Sequence, residues 1–318
     1  MFLRFAFVFY LFFSLSAQAE SLLTFSATRA ETSDDLNSTL FGLRFQSHRF
    51  DPIWPYPELV SKAWAFSASG FEWNRSGAGL RSVKVGGSYF LNLEERWFKV
   101  DGGVTQVQNS QRSLRAAYGS FGVEAGLKTK ESFVLVLSLT HDFHAPTLVP
   151  LTEDLGLTRG VQVGTRATWR PSPGLKVQLK PDLIFLDQGE RRTFFDGEVM
   201  WRVAGEPNWI WLGVGSEWLG YSGTVRGLWS PANFQAHGAR LDSALPIGEG
   251  LGFFLGGSAS FIREDQRDWG TGHYVRSGFR FGQRTHSQGQ LFVESNQSIQ
   301  GGRFWKSQGL GLQWDYSF

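Results

Sequence analysis

The chain has no cysteine and only 2 methionines among its 318 residues. Without cysteine there is no disulfide framework, which excludes the small stapled scaffolds common among exported proteins. An excess of one charge is also missing. The 31 Lys and Arg against 29 Asp and Glu leave a formal net charge of +2, so neither nucleic acid nor a polybasic membrane-surface role is expected. After the first 20 residues no apolar run approaches the length of a membrane-crossing helix. Mean hydropathy is −0.20, a value that suits a soluble protein and equally a wall that alternates between lipid and water. What is abundant is glycine, 38, phenylalanine, 29, and tryptophan, 13. Curved sheets use the first, and interfacial girdles use the other two.

The two ends carry the clearest signals. From Met1, one positive charge at Arg4 precedes an apolar stretch from Phe5 to Leu15 and the triplet Ala17-Gln18-Ala19. That order of charged, apolar and small-residue segments describes a secretory signal over residues 1–19, cleaved after Ala19. Residues 20–318 are then the mature chain, read as one domain. At the other end Leu310, Leu312, Trp314, Tyr316 and Phe318 alternate with Gly311, Gln313, Asp315 and Ser317. A strict period of two describes a strand with one apolar and one polar face. The terminal Phe318 resembles the assembly signal with which bacterial outer-membrane proteins end, and that resemblance implies the barrel assembly machinery as a partner.

Similar segments of about 10 residues, the length of a tilted membrane-crossing strand, recur along the mature chain. Val161, Val163, Thr165, Ala167 and Trp169 alternate with Gln162, Gly164, Arg166, Thr168 and Arg170. Past Pro171 to Gly174 the same holds for Leu175, Val177, Leu179, Leu183 and Phe185 against Lys176, Gln178, Lys180 and Asp182. Short connections fall at 93–95, 129–131, 171–174, 205–208, 246–250 and 286–289, roughly 35 to 42 residues apart, the length of a hairpin plus a longer loop. The pattern predicts an all-β, transmembrane, antiparallel up-and-down barrel of about 16 strands, with 14 or 18 as neighbours. Such a barrel is expected in the outer membrane of a Gram-negative bacterium, amid outer-membrane lipid and lipopolysaccharide, with its short turns on the periplasmic side. The segment 49–59, with three prolines, breaks the scheme.

A barrel of this size encloses an aqueous channel. The charged phase faces it, and the pore-lining candidates are Arg166, Lys176, Lys180, Asp182, Asp196, Glu198, Arg202, Trp211, Glu217, Arg240, Asp242, Arg276, Arg280 and Asp315. Arg44, Lys84, Lys99, Asp101, Glu124 and Tyr274 belong to the same phase. Mixed charge predicts no steep ion preference. Inward aromatics such as Trp211 and Tyr274 are of the type that stacks on sugar rings, although wall packing explains a single aromatic as well.

Between Asn208 and Glu264 one element stands out. Trp229, Ser230, Pro231 and Phe234 spell an aromatic-Ser-Pro-x-x-aromatic motif where a loop re-enters a strand, with Pro231 fixing the chain and Trp229 expected at the membrane or pore rim. Over about 60 residues this stretch resembles the barrel domain of exopolysaccharide-export porins of the cellulose type. The resemblance implies a channel for export of an exopolysaccharide or passage of sugars. Those porins carry tetratricopeptide repeats before the barrel; here strands begin close to the cleavage site, so a polysaccharide chain and a separate periplasmic scaffold are the implied partners. A general diffusion porin would share every feature except the cargo.

An enzyme acting on outer-leaflet lipid is the other reading. Its best candidates are Ser138, His141, Asp142 and His144. Neighbours His141 and Asp142 point to opposite faces of a strand, a poor arrangement for a catalytic pair. The expectation is therefore no catalytic residue, no metal and no cofactor.

Overall fold

The structure is a computed structural model and describes residues 21–33, 37–47, 62–75, 78–93, 95–109, 115–129, 132–144, 158–225, 229–283 and 287–317. Sixteen strands run in chain order: β1 (Leu22–Thr32), β2 (Asn37–Gln46), β3 (Lys62–Arg75), β4 (Ala78–Leu93), β5 (Arg96–Asn109), β6 (Arg115–Thr129), β7 (Phe133–His144), β8 (Thr158–Ser172), β9 (Leu175–Leu186), β10 (Arg191–Ala204), β11 (Trp209–Tyr221), β12 (Phe234–Gly248), β13 (Leu251–Glu264), β14 (Gly270–Gln283), β15 (Ser287–Gln300) and β16 (Arg303–Ser317). Each pairs antiparallel with its neighbours in sequence, and β1 pairs with β16 to close the ring. The sixteen-stranded, transmembrane up-and-down barrel expected from the periodicity is the fold observed. Among the described residues there is no helix. The predicted signal segment, the proline-rich segment 49–59 and Phe318 lie outside the described residues.

Across the middle of the wall the polar and apolar phases of the strands land on opposite sides. Outward positions hold large apolar side chains left open, such as Val104, Val163, Val214, Val293 and Leu310, because a closed wall in lipid keeps its apolar surface on the outside. Near the rim where Ser21 and Ser317 lie, here the near rim, Tyr89, Phe98, Trp169, Trp201, Trp314 and Tyr316 form an outward aromatic belt. There is accordingly no central apolar core. Buried apolar residues form two small inward clusters instead: Ala63, Phe90, Trp97 and Val136 toward the near rim, and Ile184, Leu186 and Val225 toward the far one.

Two short turns are tighter than the sequence suggested. β8 runs through Pro171 to Ser172, and β12 runs through Pro246 to Gly248. Both prolines sit where the register shifts, between Trp169 and Ser172 and between Pro246 and Gly248. At such a bulge a missing N–H costs no ladder bond, so the strand continues past the residue that usually ends it.

Candidate functional site in the barrel interior

The fourteen charged or aromatic positions expected to line a pore all occupy the inward phase of their strands. Lys176, Asp196, Glu198, Glu217, Arg240, Asp242, Arg276 and Arg280 line an interior cavity of about 820 Å³. Arg166, Lys180 and Asp182 line a second hollow of about 220 Å³ beside it. Trp211 is inward and 5% exposed toward the near rim, where Arg202 is its direct cross-strand partner. Asp315 accepts hydrogen bonds from Gln313 Nε2 at 3.4 and 3.3 Å.

Cross-strand register explains how the charges meet. Lys180 lies directly opposite Asp196, and Asp196 opposite Glu217, so long side chains two residues apart share one patch of wall. Lys176 Nζ is 2.9 Å from Glu198 Oε1 and Lys180 Nζ is 3.3 Å from Asp196 Oδ2. Arg240, two strands away on β12, donates to Glu198 Oε2 at 3.0 Å and also to Asp196. Its side chain crosses β11 over Gly215, where an added Cβ would meet Arg240 Nε at 2.0 Å. Glycine is what lets the guanidinium lie flat against the wall. The side chains of Asp196 and Glu198 are only 12% exposed. Two anions held by three cations in one layer therefore form a cross-braced belt. Further along, Arg192 pairs with Asp182 at 3.1 Å, Lys99 with Asp101 at 3.0 Å and Glu124 at 3.5 Å, and Lys84 with Asp142.

Two inward cations are placed differently. Arg276 lies over the Phe292 ring at 3.8 Å, and Arg280 over the Phe254 ring at 5.1 Å. Neither has a carboxylate within ion-pair distance among the described residues, so their guanidinium edges face the cavity. Beside them the wall changes character. The inward residues of β15, β16 and β1 are mostly neutral and polar: Gln290, Asn296, Gln300, Gln313, Thr24 and Ser26. The interior thus has an ion-paired side and, on β15, β16 and β1, a side rich in amides and hydroxyls that carries only the scattered charges Glu294, Arg303 and Asp315 among its described residues.

The motif Trp229 to Phe234 lies at the far end of the interior, where Trp229 and Phe234 line the cavity. Trp229, expected at a membrane or pore rim, lies on the interior side of the far mouth and lines the cavity there, where its Nε1 donates to Glu264 Oε1 at 2.7 Å. Trp229 and Phe234 meet edge to face with centroids 5.1 Å apart. Ser230 Oγ accepts from Val225 N at 3.0 Å, and Tyr221 N donates to Pro231 O at 2.9 Å, so both residues turn the chain back toward β12. Glu264, 3% exposed, also accepts from Gly301 N at 2.9 Å and Gly302 N at 2.7 Å. One buried carboxylate ties three connections together. Nothing in the local sequence marks Glu264, since its donors come from segments 35 to 38 residues away.

The residues weighed for catalysis do not come together. Ser138 is inward, His141 outward, and Asp142 inward against Lys84; the side chain of His144 lies outside the described residues. Serine and histidine do meet elsewhere, on the outward face: Ser216 Oγ is 2.6 Å from His237 Nδ1, and Ser295 Oγ is 3.4 Å from His273 Nε2. Neither imidazole has a carboxylate on its other nitrogen among the described residues. No cluster of metal-ligating side chains occurs among them either.

No protein-family model matches the chain, and no curated protein matches it in sequence. Solved structures do resemble it in fold. A bacterial polysaccharide outer membrane secretin superposes over 94% of this chain and 98% of its own, with a TM-score of 0.72 at 9% identity. CdiB from Acinetobacter baumannii gives 0.52 over 92% of this chain and 60% of its own, at 10% identity. OccK7 (OpdD) of Pseudomonas aeruginosa gives 0.50 over 94% and 98%, at 9% identity. At such identities the likeness is one of architecture: the fold is that of outer-membrane β-barrels.

Proposed function

We propose that the chain is an outer-membrane channel whose cargo is a saccharide chain, most simply an exported exopolysaccharide. The observation that carries this reading is the two-sided interior. An extended sugar polymer presents hydroxyls all round, and a lane of Gln, Asn, Ser and Thr exchanges its hydrogen bonds with water at little net cost. On the facing wall Lys176, Lys180 and Arg240 neutralise Asp196 and Glu198, which lowers the pull on small cations there. Arg276 and Arg280, backed by Phe292 and Phe254, supply donors to hydroxyl or acidic groups of a passing sugar. The edge-to-face pair Trp229 and Phe234 at the far mouth offers apolar faces for sugar rings. The fold likeness to a polysaccharide outer membrane secretin across nearly the whole of both chains is in keeping with this reading. A general diffusion porin is the second reading, favoured by the mixed interior charge.

Planar-bilayer recording of the purified barrel separates the two. For a saccharide conduit, linear oligosaccharides added at micromolar to millimolar concentration block the ionic current in discrete events that lengthen with chain length. Open-channel current unchanged by every oligosaccharide, with free passage of unrelated solutes, rejects the conduit in favour of the porin.

A further inference from the structure

The outward face is not uniformly apolar below the far rim. On β11 to β16 it carries Ser216, Gln235, His237, Arg263, His273 and Lys306, each within a few residues of its strand's far end. Register makes these neighbours: Gln235 is opposite Arg263, and His273 is opposite Gln297, which is opposite Lys306. At the centre, the turn residue Trp269 is 47% exposed. The Arg263 guanidinium stacks on it at 4.9 Å, and the His237 ring lies 5.7 Å from it. Arg263 has no carboxylate partner among the described residues, and its single side-chain acceptor, Gln235 Oε1, is at 3.5 Å. The outward phase of β11 to β16 holds no Asp or Glu at all. Directly below, Phe261 is 66% exposed and returns the surface to the apolar type.

A cation with a free hydrogen-bonding edge, at the upper border of a lipid-facing wall, is costly unless an anion meets it there. Elsewhere near the far rim the outward cations Arg29, Arg81 and Arg159 are paired with Glu31, Glu72 and Asp187, so the patch on β11 to β16 differs in leaving Arg263 without a carboxylate among the described residues. It spans five inter-strand spacings, roughly 24 Å at about 4.8 Å per strand, wider than one phospholipid headgroup. Its chemistry is mixed: a guanidinium, an ammonium and two imidazoles for phosphate, hydroxyls and amides for sugar hydroxyls, and an indole face at headgroup depth.

We infer that this patch is a docking site for a glycolipid whose sugar headgroup carries phosphates, with a phosphate on the Arg263 edge and a sugar ring beside Trp269. The inference rests on the outer-membrane placement proposed above but not on any cargo. Its acyl chains would lie along Phe261 and the apolar outward residues beneath.

The test uses the full barrel, folded in detergent and shown to be closed by its heat-modifiable electrophoretic mobility, with retained lipid counted by native mass spectrometry. The probes are bisphosphorylated lipid A, lipid A stripped of both phosphates, and phosphatidylglycerol. Wild type should retain bisphosphorylated lipid A in preference to the other two. Arg263→Gln should reduce that retention about tenfold, the loss expected for one charge-assisted contact to phosphate, with barrel closure unchanged. Trp269→Ala, in a turn outside the strand ladder, should weaken retention of both lipid A forms. Equal retention of phosphatidylglycerol, or retention unaltered in folded Arg263→Gln and Trp269→Ala, overturns the assignment. A barrel that fails to enter detergent or bilayer at all would instead count against the outer-membrane placement.

Discussion

Replacing Arg240 with leucine is the sharpest probe of the interior belt. Arg240 contributes charge-assisted hydrogen bonds to both Asp196 and Glu198, and such bonds are worth about 1.5 to 3 kcal/mol each when one partner is charged. Two features reduce the sum. Each carboxylate keeps a lysine, Lys180 and Lys176, and the Arg240 side chain is 22% exposed to the water-filled interior, which screens the pair. A net loss of about 2 kcal/mol follows, equivalent to roughly a thirtyfold shift in the folding equilibrium. Equilibrium unfolding in urea, from detergent micelles or lipid vesicles, should read it as a lower midpoint. Arg240→Leu combined with Asp196→Asn and Glu198→Gln should recover most of the loss, because neither of the two Arg240 acceptors then carries a charge left short of a partner. If the single substitution unfolds at the wild-type urea concentration, the belt is solvent-screened and braces nothing. The same variant removes one positive charge from the channel wall and should move the reversal potential toward cations in a salt gradient.

Three other substitutions probe separate elements. Glu264→Leu leaves the Trp229 indole and the Gly301 and Gly302 amides without their shared acceptor, and should speed limited proteolysis within 222–233 and raise open-channel noise while the ring stays closed. Trp229→Ala removes half of the aromatic pair at the far mouth and should weaken oligosaccharide block by about tenfold, a loss of roughly 1.4 kcal/mol, measured as shorter blocking events in bilayers. Gly238→Val would place a Cβ 2.0 Å from Ala259 O and 2.6 Å from Ser260 Cα. Neither backbone atom can yield, so the heat-modifiable band of the folded barrel should be lost or shifted to a lower melting temperature.

The phase of the wall was legible because a strand repeats every two residues: Arg166 beside Trp169, or Asp315 between Trp314 and Tyr316, can only point one way each. Strand count followed, since each short connection and longer loop punctuated two such runs. Inward apolar residues were not legible. In Leu183-Ile-Phe-Leu186 all four positions are apolar: the phase set Phe185 outward, but that Ile184 and Leu186 would be buried inside with Val225 is shown only by the fold. The Trp-Ser-Pro motif announced an unusual turn but not its destination, because the acceptor that pulls Trp229 inward is contributed by the following hairpin. At Ser138 to His144 the period of two already set His141 and Asp142 on opposite faces, and the strand places them so. The Ser216 and His237 pair escaped notice because the two are 21 residues apart and become adjacent only through cross-strand register.

The seam between β1 and β16 differs in kind from the other fifteen pairings. Every other pairing joins consecutive strands and forms at a local entropic cost; the eleven rungs from Leu22↔Ser317 to Thr32↔Ser307 bring together residues some 300 positions apart. Loop closure over that distance costs about 5 kcal/mol against about 1 for a four-residue turn. Until those rungs zip, both margins of an otherwise finished sheet stay open to other chains. The last step of maturation is thus also its most hazardous, and a catalyst that holds the two margins in register would act there.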